Sequence, residues 1–229
     1  MNPHTVRVRA NQPMRILITA GPTRELIDPI RFISNFSTGK MGYALAKTAK
    51  KRNHKVTLVS GPVSLSPPKG IKKIDVITAE DMSKAVKGAF NKADCLIMSA
   101  AVCDFKPRAV SKHKIKKNNK AHKSTLLLQQ TPDVLSWAGK NKGKKIVVGF
   151  CLETKNTTKE AKRKLITKNA DIIVANKIGR GNAAFGNGPT KVSILENSGA
   201  ARNIGPENKT KIAGSILDKI ETLWYKDNA

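Results

Sequence analysis

The sequence has few aromatic side chains and no long apolar run. Aromatic residues make up 4% of the 229 residues, so the core must consist mostly of aliphatic side chains. No apolar stretch approaches the roughly 20 residues that a membrane-spanning helix needs. Residues 1–13 are mixed and polar, without the apolar segment of a secretory signal peptide. We therefore expect neither a membrane partner nor a secretory leader.

Cysteine and histidine are also scarce, and their spacing excludes several kinds of site. The three cysteines, Cys95, Cys103 and Cys151, are odd in number and form no C-x-x-C or Cys/His ligand pattern. They are typical of free thiols in a reducing compartment, which predicts a cytoplasmic protein. The four histidines lie in unrelated segments, and there is no serine nucleophile elbow. A histidine metal centre and covalent catalysis therefore have no support in the sequence.

The charge balance is strongly basic. Lysine and arginine total 43 against 16 acidic residues, which gives a formal net charge of +27. Such a balance favours polyanionic partners such as nucleic acid or small phosphorylated ligands. The lysines are scattered over every segment, however, which favours a lysine-rich solvated surface. A nucleic-acid-binding module is an alternative, but aromatic platforms and a recognition motif are missing. We therefore expect no specific nucleic-acid partner.

Apolar runs of strand length alternate with helical patterns along most of the chain. Strands are predicted at 15–20, 55–60, 73–77, 94–99, 145–150, 171–175 and 191–196. Helices are predicted at 41–52, 79–93, 132–138 and 209–225, with Thr78 as the N-cap of the second. A further helix is predicted to end at 169, with Thr157 or Thr158 as its N-cap. This alternation predicts an N-terminal extension at 1–14, then one α/β domain at 15–226 with a doubly wound, mostly parallel, Rossmann-like sheet.

Two segments interrupt that alternation. Residues 108–130 are basic, with weak alternation at 111–117 and an apolar run at 124–129, which predicts an inserted two-stranded β flap. Within this flap, Lys114 begins a Lys-Ile-Lys-Lys run that suits a polyphosphate. In a chain this basic, a solvated face explains the run better. Asn176 is predicted to open a glycine-rich loop that continues to residue 189.

The turn at 31–42 lies between a predicted strand and a predicted helix, which is the usual layout of an anion site. Its polar and glycine residues are Asn35, Ser37, Thr38, Gly39, Lys40 and Gly42. Met41 stands where a Walker A loop has serine or threonine, and no G-x-G-x-x-G fingerprint is present. The layout fits a phosphate, carboxylate or nucleotide site, and it also fits a capped helix entry with Gly42 packed against the sheet. The missing fingerprint argues against a nicotinamide-dependent oxidoreductase, which the sheet alone would allow.

Further candidates lie at predicted strand ends and on one helix face. Asp104 follows a buried strand, where a carboxylate holds a ribose hydroxyl, an amine or a metal, or caps the next loop. Phe150 ends another strand, where it stacks a base or belongs to the core. Lys164 and Lys168 lie one helical turn apart, and a shared anion would offset the repulsion between them.

Several stretches together are similar to one enzyme family. They are ITAGPTRE at 18–25, DPIRFISN at 28–35, STGKMG at 37–42, LVSGPV at 58–63, AAVCD at 100–104, KIKK at 114–117, TPD at 131–133 and VGF at 148–150, followed by ET at 153–154. On these motifs, which occur in order over about 15–225, the chain resembles the phosphopantothenoylcysteine synthetases of coenzyme A biosynthesis. It departs from them at Cys103 and Cys151, where alanine is common, and in the loop at 177–190, whose role stays open.

The resemblance implies a ligase that joins 4′-phosphopantothenate to L-cysteine in two steps. The carboxylate of phosphopantothenate attacks the α-phosphate of CTP, giving an acyl-cytidylate and pyrophosphate, and the amine of cysteine then displaces CMP. The resemblance also implies Mg²⁺ bound with the nucleotide and a homodimer, and eukaryotic relatives favour ATP for the same ligation. Bacterial relatives carry a fused decarboxylase that is not found in this sequence, so we expect a stand-alone synthetase and a separate decarboxylase.

Site roles follow from the resemblance residue by residue. Asn35 corresponds to the asparagine that holds the acyl intermediate, and Lys114 corresponds to the flap lysine of the nucleotide and cysteine-transfer steps. Asn176 is expected at the phosphopantothenate. The positions expected to bind the nucleotide are Ser37, Gly39, Lys40, Gly42, Ala100, Ala101, Val102, Asp104, Lys114, Pro132, Asp133, Val134, Leu135, Phe150, Lys164 and Lys168. No metal ligand is assigned.

Overall fold

A computed structural model describes residues 12–117, 124–179, 186, 188–197, 199 and 201–227. The strands within these ranges are β1 (Arg15–Ala20), β2 (Arg24–Leu26), β3 (Phe32–Ser34), β4 (Lys55–Ser60), β5 (Lys72–Asp75), β6 (Cys95–Met98), β7 (Phe105–Pro107), β8 (Leu128–Gln130), β9 (Ile146–Glu153), β10 (Ile172–Lys177), β11 (Thr190–Glu196) and β12 (Ala201–Glu207). The helices are α1 (Lys40–Lys51), α2 (Ala79–Phe90), α3 (Val134–Lys140), α4 (Thr157–Thr167) and α5 (Lys209–Asp227).

One central sheet confirms the predicted α/β architecture. Its strand order is β12-β11-β10-β9-β6-β1-β4-β5, and all pairs from β10 to β5 are parallel. Strands β11 and β12 add an antiparallel edge. The chain leaves β1 toward β4 on one side and later returns to β6 on the other. The order therefore reverses between β1 and β6, where doubly wound sheets form a ligand-binding crevice.

Alternating strand residues send side chains to two separate cores. Ile16 and Ile18 of β1 pack with α1 and α5 on one face of the sheet. Leu17 packs with α2, α3 and α4 on the other face. Met14 is fully buried in the first core, and its N–H donates to His54 Nδ1 at 3.2 Å. The folded region therefore begins before residue 15, and the rest of the predicted extension, at 1–11, lies outside the described residues.

The helix caps confirm one prediction and correct another. Thr78 caps α2, where its hydroxyl accepts from the Asp81 N–H while the Asp81 carboxylate accepts from the Thr78 N–H. Helix α4 begins at Thr157, so Thr157 is not its cap, and neither is Thr158. The cap is Asn156, a left-handed residue with φ 52° whose side chain makes no capping bond. Asparagine tolerates this conformation better than threonine, because a β-branched side chain is strained there.

The two irregular segments differ from their predictions. The flap strands are β7 and β8, which pair antiparallel at the base of the insertion. The described residues between them, including 111–117, form no strand, and 118–123 lie outside the description. The edge of the sheet is β12 rather than β11. The sequence of β12, ARNIGPE, has little apolar alternation, because the strand is mostly exposed.

Several boundaries shift by a few residues. Strand β5 ends at Asp75 and not at 77, α2 ends at Phe90 and not at 93, and α4 ends at Thr167. Asn176 belongs to β10 and does not open a loop. Within the described ranges, no helix has the length and apolar character that crossing a membrane requires.

Candidate nucleotide and acyl-intermediate site

A cavity of about 1010 Å³ lies at the carboxyl edge of the parallel strands, where the strand order reverses. The anion turn, the end of β6, the start of α3 and the end of β9 all open onto it. The predicted positions that line it are Asn35, Ser37, Gly39, Lys40, Gly42, Ala100, Ala101, Val102, Asp104, Pro132, Asp133, Val134, Leu135, Phe150, Lys164, Lys168 and Asn176. Lys114 is the predicted position that does not line it. Residues far apart in the sequence thus meet in one place.

The anion turn places the start of α1 at this cavity. Gly39 caps the helix in the left-handed region with φ 74°, and its N–H donates to Ser37 Oγ at 3.3 Å. The first N–H groups of an α-helix have no acceptor within the helix and carry partial positive charge, which suits an anion. Gly42 lets this helix end approach the sheet, because a Cβ there would lie 2.5 Å from Ala20 Cβ. The packing of Gly42 against the sheet is therefore confirmed, and the anion site stays a prediction.

The side-chain amide of Asn35 is held against the loop that follows β6. Its Nδ2 donates to Ala101 O at 3.2 Å and to Val102 O at 3.3 Å, and it lies 3.9 Å from Cys103 Sγ. The next loop residue is Asp104, which shares the cavity with Asn35. The two segments that the sequence assigned to the acyl group and to the nucleotide are therefore joined directly by hydrogen bonds.

Basic side chains on α4 are paired with carboxylates of the cavity wall. Lys164 Nζ lies 3.2 Å from Glu153 Oε1, Lys168 is paired with Asp133, and Arg163 Nε lies 2.8 Å from Glu160 Oε2. Lys164 and Lys168 therefore contact two different carboxylates and do not need a shared anion. Burial lowers the pKa of Lys164, but Cys151 and Glu153 outweigh it, so this pKa is raised and the ammonium stays charged.

Asp104 differs from these carboxylates. Among the described residues, no lysine, arginine or histidine lies within ion-pair distance of its side chain, which is exposed at the cavity. In the same part of the chain, no cluster of three His, Cys, Asp or Glu side chains could hold a metal ion. One carboxylate fits a Mg²⁺ ion that is carried mainly by nucleotide phosphates. Asp104 would hold such an ion, or a ribose hydroxyl.

The wall beside Asp104 is apolar. Phe150 is partly buried against the first core and also faces the cavity. Its ring therefore contributes to the core and is also accessible from the cavity. Leu135 packs on Gly149, where an added Cβ would lie 2.7 Å from Leu135 Cδ2. Asp133 caps α3, and its side chain accepts from the Ser136 N–H at 2.8 Å. This wall offers a planar ring and aliphatic surface to a nucleobase.

The cysteines of the site are not nucleophiles. Burial raises the pKa of Cys151 to about 11 and raises the pKa of Cys103 above its usual value. Cys95 is fully buried in the first core, and burial raises its pKa as well. All three stay protonated at neutral pH, and a thiol is a poor nucleophile compared with a thiolate. Burial therefore disfavours the thiolate form of both cysteines that line the cavity.

Lys114 lies outside the cavity because the next residue is held elsewhere. The Ile115 N–H donates to Asp28 Oδ2 at 3.1 Å, and Arg31 Nη2 donates to Ile115 O at 2.8 Å. Arg31 also pairs with the buried Asp28 carboxylate. We name Asp28 and Arg31 the flap clamp. The guanidinium of Arg31 and several N–H groups hold the pKa of Asp28 well below its usual range, so the clamp is charged at neutral pH.

Asp28→Asn should loosen the flap, because the substitution removes the charge that holds both Arg31 and the Ile115 N–H. A hydrogen bond to a charged group contributes about 1.5–3 kcal/mol, so we expect tryptic cleavage within 112–117 to accelerate about tenfold. Asp75→Asn is the matched control, since Asp75 pairs with Lys73 far along the sheet. Equal cleavage rates in both variants, with melting temperatures equal to wild type, would exclude the clamp.

Two features of the cavity were missed by sequence reasoning. Glu153 was noted only as part of a motif, yet it lies between Lys164 and the Cys151 thiol. Lys209, the first residue of α5, also lines the cavity, with its Nζ 3.2 Å from Thr190 Oγ1. A lysine in so basic a chain gives no local signal. Its placement depends on the topology of β10, β11 and β12.

Comparisons with known proteins identify the family of this chain. A family model described as the DNA/pantothenate metabolism flavoprotein C-terminal domain matches residues 12–223. The chain belongs to this family. It is 44% identical over 209 residues to the coenzyme A biosynthesis bifunctional protein CoaBC of Bacillus subtilis (strain 168), covering 91% of this chain and 51% of that protein. The chain thus spans about half the length of the curated relatives it matches.

Two solved structures have the same fold as this chain. The C-terminal domain of a CoaBC protein superposes with a TM-score of 0.80 at 38% identity, covering 94% of this chain and 97% of that chain. A Cab2 variant in complex with phosphopantothenate-cysteine superposes with a TM-score of 0.76 at 15% identity, covering 94% and 89%. At 15% identity the second likeness shows the fold alone. The first aligns almost the whole of a solved C-terminal domain with this chain.

Proposed function

We propose that this protein is a phosphopantothenate–cysteine ligase of coenzyme A biosynthesis. It would join 4′-phosphopantothenate to L-cysteine, with CTP as the activating nucleotide. The observation that supports this most is the meeting of Asn35, the start of α1 and Asp104 at one strand edge. Such a cavity suits an intermediate with an acyl half and a nucleotide half, in a chain that aligns with a CoaBC C-terminal domain.

The first step needs alignment and charge neutralisation. The substrate carboxylate attacks the α-phosphorus of the nucleotide, a C–O–P linkage forms, and the bond to pyrophosphate breaks. Because carboxylate and triphosphate are both anionic, positive groups must surround them for the step to occur. The N–H groups at the start of α1 and the Lys40 ammonium supply that charge at the cavity. Mg²⁺ on the phosphates would add to it, with Asp104 as the protein ligand.

In the second step the amine of cysteine attacks the acyl carbon, an amide forms, and CMP leaves with the electron pair of the acyl–oxygen bond. Asn35 would hold the acyl group in place for this attack. Its amide is fixed by two backbone carbonyls and therefore has little freedom to turn away. Asn176, at the cavity end of β10, would contact the phosphopantothenate part.

Pyrophosphate release would test the proposal directly. We expect release that requires both phosphopantothenate and CTP, and CMP release that also requires cysteine. Parallel assays with ATP would decide the nucleotide, because no residue that the structure describes at the cavity wall distinguishes cytosine from adenine. Pyrophosphate formation that does not depend on phosphopantothenate would contradict a ligase.

Lys114→Gln should weaken turnover without unfolding the chain. Lys114 is exposed, so the loss of its charge does not affect the core. We expect overall turnover to fall by about 10- to 100-fold, because the resemblance assigns this cation to the nucleotide and cysteine-transfer steps, although it lies outside the cavity in this structure. Lys112→Gln, an exposed flap lysine two residues away, is the control. Equal rates in the two variants would mean that Lys114 has no special role.

We also propose a homodimer. Exposed apolar side chains next to the anion turn support the dimer: Ile30 is 60% exposed and Phe36 is 89% exposed. Apolar groups clustered on a surface commonly mark a protein interface. Sedimentation at micromolar concentration would measure the assembly, and a monomer would contradict this part of the proposal.

A further inference from the structure

Two lysines begin the two helices that lie on one face of the sheet. Lys40 is the first residue of α1 and Lys209 is the first residue of α5, and both line the cavity. Their helices pack together in the first core. A lysine in the first turn opposes the helix dipole, and two such lysines at one cavity also repel each other. A bound polyanion would offset both costs.

The Lys209 ammonium is held in a fixed position. Its Nζ donates to Gly186 O at 3.0 Å and to Thr190 Oγ1 at 3.2 Å, and Thr190 is 1% exposed. These two bonds orient the ammonium. Burial, and then the charge of Lys40, lower the pKa of Lys209. Both side chains line the same cavity.

The position of this pair within the cavity indicates which part of a nucleotide it meets. The wall made by Asp133, Leu135 and Lys168 belongs to α3 and the end of α4, on the opposite face of the sheet. Lys40 and Lys209 lie on the face of α1 and α5, beside the anion turn. A nucleotide with its base on the α3 wall therefore extends its phosphates across the strand ends toward the two lysines.

We propose that Lys209 binds the pyrophosphate part of the nucleoside triphosphate together with Lys40, and stabilises pyrophosphate as it leaves. This inference rests on the proposed function and adds a binding residue to it. When the substrate carboxylate bonds to the α-phosphorus, the bond to the β-phosphate oxygen breaks and its electron pair leaves with pyrophosphate. That oxygen gains negative charge, and ammonium groups beside it lower the barrier.

The test compares Lys209→Gln with Lys211→Gln. Lys211 lies in the same helical turn, but it is exposed and pairs with Glu207 at 3.2 Å. We expect Lys209→Gln to raise the KM for the triphosphate about tenfold, as expected for the loss of a charge-assisted contact. The same variant should weaken binding of inorganic pyrophosphate with Mg²⁺, measured by calorimetry, about tenfold. Its melting temperature without ligand should equal or exceed that of wild type, because a repulsion is removed.

The outcomes separate this inference from the proposed function. If Lys209→Gln raises the KM for phosphopantothenate alone, the lysine holds the substrate phosphate and the inference is wrong. Unchanged pyrophosphate binding in Lys209→Gln, or no pyrophosphate binding by the wild-type chain, also overturns it. If the chain does not ligate but pyrophosphate binding depends on Lys209 and not on Lys211, the anion site stands and the ligase proposal fails.

Discussion

Asn35→Asp should stop the ligation between its two steps. The Asn35 amide donates to two carbonyl oxygens, Ala101 O and Val102 O, at 3.2 and 3.3 Å. A carboxylate cannot donate and would be repelled by both oxygens, so the side chain would turn away from its position. We expect pyrophosphate to be released about once per site, while CMP release falls about 100-fold, the loss typical for one preorganised polar group. Rapid-quench kinetics with both products would show the difference.

A matched substitution tests whether the effect depends on the position of the new carboxylate. Asn91→Asp makes the same chemical change at the exposed end of α2, away from the cavity. It should leave both product rates at wild-type values. Full turnover by Asn35→Asp would show that the amide does not hold the acyl group. An equal loss of pyrophosphate and CMP would instead place the residue in the first step.

Gly42→Ala should destabilise the fold and weaken nucleotide binding together. An added Cβ would lie 2.5 Å from Ala20 Cβ and 2.8 Å from Ser99 Oγ, so the start of α1 must move away from the sheet. Overpacking of this kind costs about 1–3 kcal/mol of unfolding free energy. The same movement displaces the N–H groups that face the cavity. Urea denaturation and a nucleotide titration would measure the two effects.

A second glycine provides a control whose substitution should change the stability in the opposite direction. Gly88 lies inside α2, and a Cβ there would meet nothing within 4 Å. Alanine is favoured over glycine in a helix by up to about 1 kcal/mol, so Gly88→Ala should stabilise the protein. If Gly42→Ala were as stable as Gly88→Ala, the close packing at Gly42 would not restrict the size of the side chain there.

Local patterns predicted the elements that are apolar and clearly bounded. Strands β1 and β4 have the predicted bounds, because Gly-Pro pairs end their apolar runs. The buried face of α5 at Ile212, Ile216 and Ile220 follows from helical spacing. Strand β12 was not predicted, because its residues are mostly exposed and polar. Tertiary pairing, and not propensity, makes that segment a strand.

The residues of the candidate site were predictable only where they lie in recognisable sequence motifs. The anion turn with Asn35, and the candidates Asp104, Phe150 and Lys168, follow sequence patterns. The resemblance assigned their roles and added residues 132–135. The pairing of Lys164 with Glu153 and the clamp at Ile115 join segments distant in sequence, so no local pattern indicates them. Lys209 needed the complete topology: two antiparallel reversals after β10 return the chain to the carboxyl edge just as α5 begins.

That return of the chain also bears on folding. The cavity joins the anion turn to the start of α5, and these two parts of the site lie far apart in the sequence. Contacts of such large sequence separation form late, because loop closure costs entropy before they stabilise anything. A ligand that bridges α1 and α5 would hold these two helices together. Such a ligand should therefore slow the separation of α5 from the sheet.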